Sequence, residues 1–133
     1  MIPSFDESGR LPPGIHPATL EEIDARFARQ SKLRRVQMDS VRWMVDLAVR
    51  AGAQRIVLNG SFVTDIMEPN DVDCVLLFSR GKRGDLAALK ELAAGLPFLD
   101  IARVGPKNFA RMTEVVFARG RDRVLKGMVE VLP

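Results

Sequence analysis

Between Leu33 and Ala51 apolar side chains recur at helical spacing: Leu33, Val36, Met44, Leu47 and Ala51, with Val41, Val45 and Ala48 widening the stripe. That periodicity predicts one long helix, with Gly52 beyond its end as a C-cap candidate and Trp43 packed at the stripe's edge. A shorter helix is expected before it, because Thr19 and Glu22 stand three apart as a capping box, and Ser31 caps or interrupts the pair. The pattern then changes to short apolar runs bounded by turn residues, the signature of strands, at 55–59, 72–78 and 98–104. A helix is expected over 85–94, with Leu86, Leu89, Leu92 and Ala93 inward and Gly95 closing it. Terminal strands are expected at 115–118 and 128–132, joined through a turn at Gly120-Arg-Asp. Residues 105–114 form a connection with no assignable structure, and 1–18, rich in Pro and Gly, run as an arm. This order of helices and strands suits an α+β fold, α/β-like in places, with a mixed sheet and helices packed on one face.

Composition bounds the reading. A chain of 133 residues with 47% hydrophobic residues can build one domain with a proper core and is too short for two, so residues 1–133 are read as a single domain. No apolar run approaches the roughly 20 residues that span a bilayer, and the N-terminus lacks a secretory layout, so no membrane partner and a cytoplasmic location are expected. The one cysteine, Cys74, fits a reducing compartment and reads as a small buried hydrophobe. One Cys and one His cannot close a zinc site. His16, alone in the arm, reads as structural or incidental.

The net charge of +3 is mildly basic. Arg26, Arg29, Lys32, Arg34, Arg35, Arg42 and Arg50 concentrate on the first helical region, where a solvated helix face is the favoured explanation over a nucleic-acid stripe. Single-strand recognition adds stacking aromatics, and this chain has no Tyr and one Trp. Sequence-specific DNA binding is not expected.

The chemistry concentrates in two pieces, Leu58-Asn59-Gly60-Ser61-Phe62 and Asp71-Val72-Asp73-Cys74, the second opening an apolar strand. Alternation along a strand points Asp71 and Asp73 the same way, their Cα atoms about 7 Å apart. Two carboxylates on one face are comfortable when a cation lies between them, and Mg²⁺ takes oxygen ligands while sharing them with substrate phosphates. A Gly-Ser turn running into helical backbone would offer N–H groups and a hydroxyl to phosphate. The competing explanation is that Asp71 and Asp73 simply begin a strand after the Glu68-Pro69-Asn70 turn. Asp100, inside an apolar strand, asks for a partner or a metal. Asp65 and Glu68 read as polar loop residues, and Arg80, Lys82 and Arg83 as a basic turn that either reaches phosphate or is merely solvated.

Gly60, Ser61, Asp71 and Asp73 resemble, in order and spacing, the signature of the polymerase-β-like nucleotidyltransferase superfamily, with Asp100 matching its third carboxylate. Met1-Ile-Pro-Ser-Phe, Leu11-Pro-Pro-Gly-Ile-His-Pro-Ala-Thr-Leu-Glu-Glu, the stretch Asn59 to Asp73 and the ending Phe117 to Val131 resemble a family of small prokaryotic nucleotidyltransferase-like proteins. Lys126 and Gly127 lie within that ending and have no role derivable from the residues. The resemblance implies a minimal nucleotidyltransferase fold, Mg²⁺ (or Mn²⁺) held by Asp71, Asp73 and Asp100, and phosphate binding by Gly60 and Ser61. It implies an enzyme that transfers a nucleotide from a nucleoside triphosphate such as ATP to a protein or RNA acceptor, as part of a toxin–antitoxin or defence pair. The alternative is a catalytically silent module that keeps this fold and acts through a cognate protein partner.

Overall fold

The computed structural model describes residues 1–79, 84–116 and 127–133. Five strands, β1 (Gly14–Thr19), β2 (Arg55–Asn59), β3 (Val72–Leu77), β4 (Leu99–Val104) and β5 (Gly127–Leu132), form one sheet in the order β1-β5-β2-β3-β4. The pairs β1–β5 and β3–β4 run parallel, whereas β2 is antiparallel to both β3 and β5. Helices α1 (Leu20–Phe27), α2 (Lys32–Arg50), α3 (Leu86–Ala94) and α4 (Pro106–Arg111) pack on it. The fold is therefore α+β with a mixed sheet, as the alternating patterns predict.

Strand alternation divides the sheet cleanly. Ile56, Leu58, Val72, Cys74, Leu76, Leu99, Val129 and Val131 belong to a core shared with α1, α2 and α3, so the three helices read from the sequence do share one face. Val57, Val75, Leu77 and Met128 face the other way and meet Phe109 of α4. On this second face Arg55 is bidentate to Glu130, at 2.9 and 2.6 Å, and lies 4.9 Å over the Phe109 ring.

Local signals explain the element ends. Thr19 and Glu22 form the capping box reciprocally, Ser31 accepts from the Arg34 N–H at 3.1 Å, and Asp85 caps α3 through the Ala87 N–H at 2.9 Å. Gly52 and Gly95 follow helices with φ of +92° and +89°, conformations that favour glycine.

Four expectations change. Part of the arm, Gly14–Thr19, is an edge strand, and Pro17 is tolerated there because an edge strand need not donate every N–H. The unassigned connection contains α4, begun by Pro106 in the first turn, followed by a π-helical turn at Met112–Val116. That turn occupies the first half of the expected strand 115–118; the remainder, the Gly120-Arg-Asp turn, Lys126, Arg80, Lys82 and Arg83 lie outside the described residues. Third, Val36, Leu86 and Ala93 are exposed, whereas α3 buries Leu92 as expected, together with Ala88, and packs Leu89 partly against the core. Finally, Trp43 is half exposed on α2. Among the described residues no helix is long and apolar enough to cross a membrane.

Candidate functional site

The strand register brings the candidate carboxylates together. Asp73 pairs with Asp100 across β3–β4 and with Asn59 across β2–β3, so these three residues form a row over three neighbouring strands. Asp71 stands at a bend immediately before β3 rather than inside it, so the two-residue alternation argument does not describe it. A cavity of about 730 Å³ nevertheless collects all five expected residues, Gly60, Ser61, Asp71, Asp73 and Asp100.

Gly60 leaves β2 with φ +85° and ψ −163°, and a Cβ there would come within 2.5 Å of the Asp73 carboxylate. Glycine is thus favoured by backbone conformation, and any larger residue would also displace the Asp73 carboxylate. The chain then makes a three-residue 3₁₀ turn, Ser61–Val63, instead of entering a full helix, so the expected helix-end field is reduced to a single turn. The Ser61 hydroxyl accepts the Asn70 N–H at 3.0 Å, tying the start of this loop to its end. Having accepted there, the hydroxyl still has its own hydrogen to donate.

The loop is irregular, and side chains hold it. Phe62 plugs into the core against Phe27, with ring centroids 5.9 Å apart. Above it lies Arg34, only 1% exposed. Its Nη1 donates to the carbonyls of Phe27 and Phe62, at 2.9 and 2.8 Å, and its Nη2 to those of Thr64 and Ser61, at 2.7 and 3.4 Å. Nε donates to the Ile66 carbonyl at 3.0 Å. Burial lowers the Arg34 pKa while the nearby Asp65 carboxylate works in the opposite direction. One turn further along α2, Gln37 donates to the carbonyls of Pro69 and Asn70 at 3.2 and 2.9 Å, fixing the two residues before Asp71.

Arg34 therefore corrects the reading of a solvated basic face, and several neighbours are also engaged. Arg26 lies 4.4 Å over Phe5 and donates to the Pro3 carbonyl, Arg42 and Arg29 pair with Asp24, and Arg50 pairs with Asp46 and Asp85. The signal for Arg34 and Gln37 was present: positions 34, 37, 41, 44 and 48 continue the buried stripe in phase. Arg10 had no local signal. It reaches the cavity because the arm bridges to the loop at Thr64, and the Asp65 N–H donates to the Gly9 carbonyl at 3.0 Å.

His16 sits in β1 with Nε2 2.7 Å from the Pro12 carbonyl, a structural tie. Cys74 is buried, which pushes its thiol pKa far up, and the neighbouring carboxylates of Asp73 and Asp100 add to that. It stays a protonated core side chain.

Among the described residues no three His, Cys, Asp or Glu side chains are grouped closely enough to hold a metal ion by themselves. The donors at the cavity are hard oxygens, and the register puts two of the carboxylates side by side. Mg²⁺ needs only one or two protein carboxylates when substrate phosphates and water complete its shell. The residues therefore fit a cation held jointly with substrate rather than a preformed cage.

Fold and site together define a small α+β protein with an acidic, loop-built cavity at the end of a mixed sheet. The chain belongs to the Family of unknown function (DUF6932), whose model matches residues 3–132. No curated protein and no solved structure matches it.

Proposed function

We propose that this protein is a minimal metal-dependent nucleotidyltransferase that moves a nucleotide from a nucleoside triphosphate to a protein or RNA acceptor in the cytoplasm. The observation that carries the reading is the registered pair Asp73–Asp100 beside Gly60-Ser61 and Asp71 on one cavity. Asp71 and Asp73 would hold Mg²⁺ or Mn²⁺, which when bound neutralises and orients phosphate oxygens. Asp100, next to Asp73, would complete the metal site or take the proton of the attacking acceptor hydroxyl. Gly60 admits phosphate close to the backbone, and Ser61 donates its hydroxyl hydrogen to it. Arg10 adds positive charge at the same cavity. Attack at the α-phosphate releases pyrophosphate, with acceleration arising from positioning and electrostatics.

Asp73→Ala or Asp73→Asn should lower transfer to acceptor by on the order of 10²–10³, the loss typical of one preorganised electrostatic group. Radiolabelled nucleotide transfer into a cell extract would measure it; unchanged incorporation in both variants would remove Asp73 from the site. A second reading, a silent module acting through a cognate partner, is favoured by the lack of a three-ligand metal group among the described residues. A thermal melt with each nucleoside triphosphate, with and without Mg²⁺, separates the two. Ligand at 100 times its Kd raises stability by about 2.7 kcal/mol. No shift with any nucleotide would favour the silent module.

A further inference from the structure

The carboxylates, Gly60, Ser61 and Arg10 address the phosphate end of a nucleotide and leave its base without a seat. We propose that Phe98 is the platform on which the nucleobase stacks, an inference that rests on the nucleotide reading above. Phe98 lines the same cavity as Asp71, Asp73 and Asp100 and is the one aromatic side chain among its described lining residues. It holds the third position of the turn Leu96-Pro97-Phe98-Leu99, in which the Leu99 N–H donates to the Leu96 carbonyl at 3.4 Å, and two features set it apart from the usual occupant of that position. Its φ is +67°, and it is the one non-glycine residue with positive φ among the described residues. Bulky side chains avoid that region, and a turn needing it would be served by Gly or Asn. Nor does burial compensate, since the residue is 41% exposed.

The backbone around it is tied down. The Phe98 carbonyl accepts the Val72 N–H at 2.8 Å, the hydrogen bond that opens the β3–β4 ladder, and Val72 lies between the two carboxylates of that chain segment. The turn that carries the unusual conformation thus leads directly into the strand pairing that registers Asp73 against Asp100. Strained residues of this kind collect where a side chain must be aimed. Leu33 and Ile66 add apolar surface to the same cavity. Its lining therefore combines apolar side chains, Leu33, Ile66 and Phe98, with charged ones, the three aspartates and Arg10. A ligand matching both has a flat apolar part joined to a metal-chelating polyanion, which describes a nucleoside triphosphate. About 730 Å³ is in the range of cavities that take such ligands. An aromatic platform accepts every base, because each has a π-face, so all four nucleotides should bind with the larger purines ahead.

The test is calorimetric titration of wild type, Phe98→Leu and Phe98→Trp with ATP and with inorganic tripolyphosphate, all in Mg²⁺. Phe98→Leu should weaken ATP by roughly 5- to 150-fold, the range for loss of one base–aromatic stack, and leave tripolyphosphate affinity unchanged. Phe98→Trp should restore ATP binding, which also shows that the position tolerates substitution. ATP binding by Phe98→Leu at wild-type strength would overturn the proposal. So would equal losses for ATP and tripolyphosphate, since the ring would then be shaping the phosphate site. Wild type that binds tripolyphosphate and ATP equally well also overturns the base platform but leaves the phosphate site standing. Wild type that binds neither overturns the nucleotide reading itself.

Discussion

The two halves of α2 do different work. From Val41 to Ala48 the buried side chains are Val41, Met44, Val45, Leu47 and Ala48, all apolar, pressed into the core of the first sheet face. Nearer the start of the same helix, on the same stripe, the buried residues include Arg34 and Gln37, whose donors go to the carbonyls of Phe27, Ser61, Phe62, Thr64, Ile66, Pro69 and Asn70. One half buries surface; the other supplies hydrogen bonds to the carbonyls of an irregular loop. Buried carbonyls without partners are costly, so an irregular loop can be rigid only if some neighbour satisfies it. Here that neighbour is a helix, and the loop it satisfies carries the candidate site.

The largest effect should come from Arg34→Met. It leaves several loop carbonyls without a donor and should cost about 3–5 kcal/mol in urea denaturation, near the upper end for single substitutions. A cost below about 1 kcal/mol would mean that the loop holds itself. Leu47→Ala in the apolar half should cost about 2–4 kcal/mol through the cavity it creates, yet leave the nucleotide affinity of the folded protein unchanged. Gln37→Met should cost less, about 1–2 kcal/mol, because it also removes a buried side-chain oxygen that has no hydrogen-bond partner among the described residues. On the proposed nucleotidyltransferase reading, its affinity for nucleotide should nevertheless fall, as the residues preceding Asp71 loosen. If titration gives Leu47→Ala and Gln37→Met the same affinity loss, the division of labour within α2 is wrong.

The smallest effect concerns Asp24, which links α1 to Arg42 of α2. Burial alone would raise its pKa, but hydrogen bonds from Arg42 and Arg29 outweigh burial and hold it below the usual carboxylate range. A depressed folded pKa contributes stability that is present above the unfolded value of about 3.9 and lost as pH falls through the folded value. Asp24→Asn should therefore cost well under ~1 kcal/mol at neutral pH and flatten the acid limb of a stability profile below about pH 4. A profile identical to wild type in that limb would show the pair to be energetically silent.

Periodicity served well wherever burial alone decides structure. It located β2, β3, β4, α2 and α3, and the caps at Thr19 and Ser31 followed from side chains close in sequence. It failed where a partner far along the chain decides. Gly14–Thr19 becomes a strand only because β5 lies beside it, and nothing in a stretch containing Pro17 announces that. The site divides in the same way. Gly60, Ser61, Asp71, Asp73 and Asp100 stood out by motif, whereas Arg10 reaches the cavity through a bridge to Thr64, and Phe98 is distinguished only by its backbone angle. Arg34 fell between these cases: its spacing put it on the buried stripe, and its charge led to the opposite expectation, while Gln37 on the same stripe drew no expectation at all.

The pairing of β1 with β5 has a consequence for how the molecule is made. These strands come from opposite ends of the sequence yet run parallel and in register from Gly14↔Gly127 to Thr19↔Leu132. Closing so large a loop is slow compared with forming local contacts. During synthesis β1 must wait, unpaired, until residues 127–132 have left the ribosome. The hairpin-like β2–β3 pair, with its loop and α2, can assemble long before that. The nascent chain would thus acquire most of the residues around its cavity first and seal the edge of its sheet last, and any shortage of chaperone capacity should be felt most at that exposed strand.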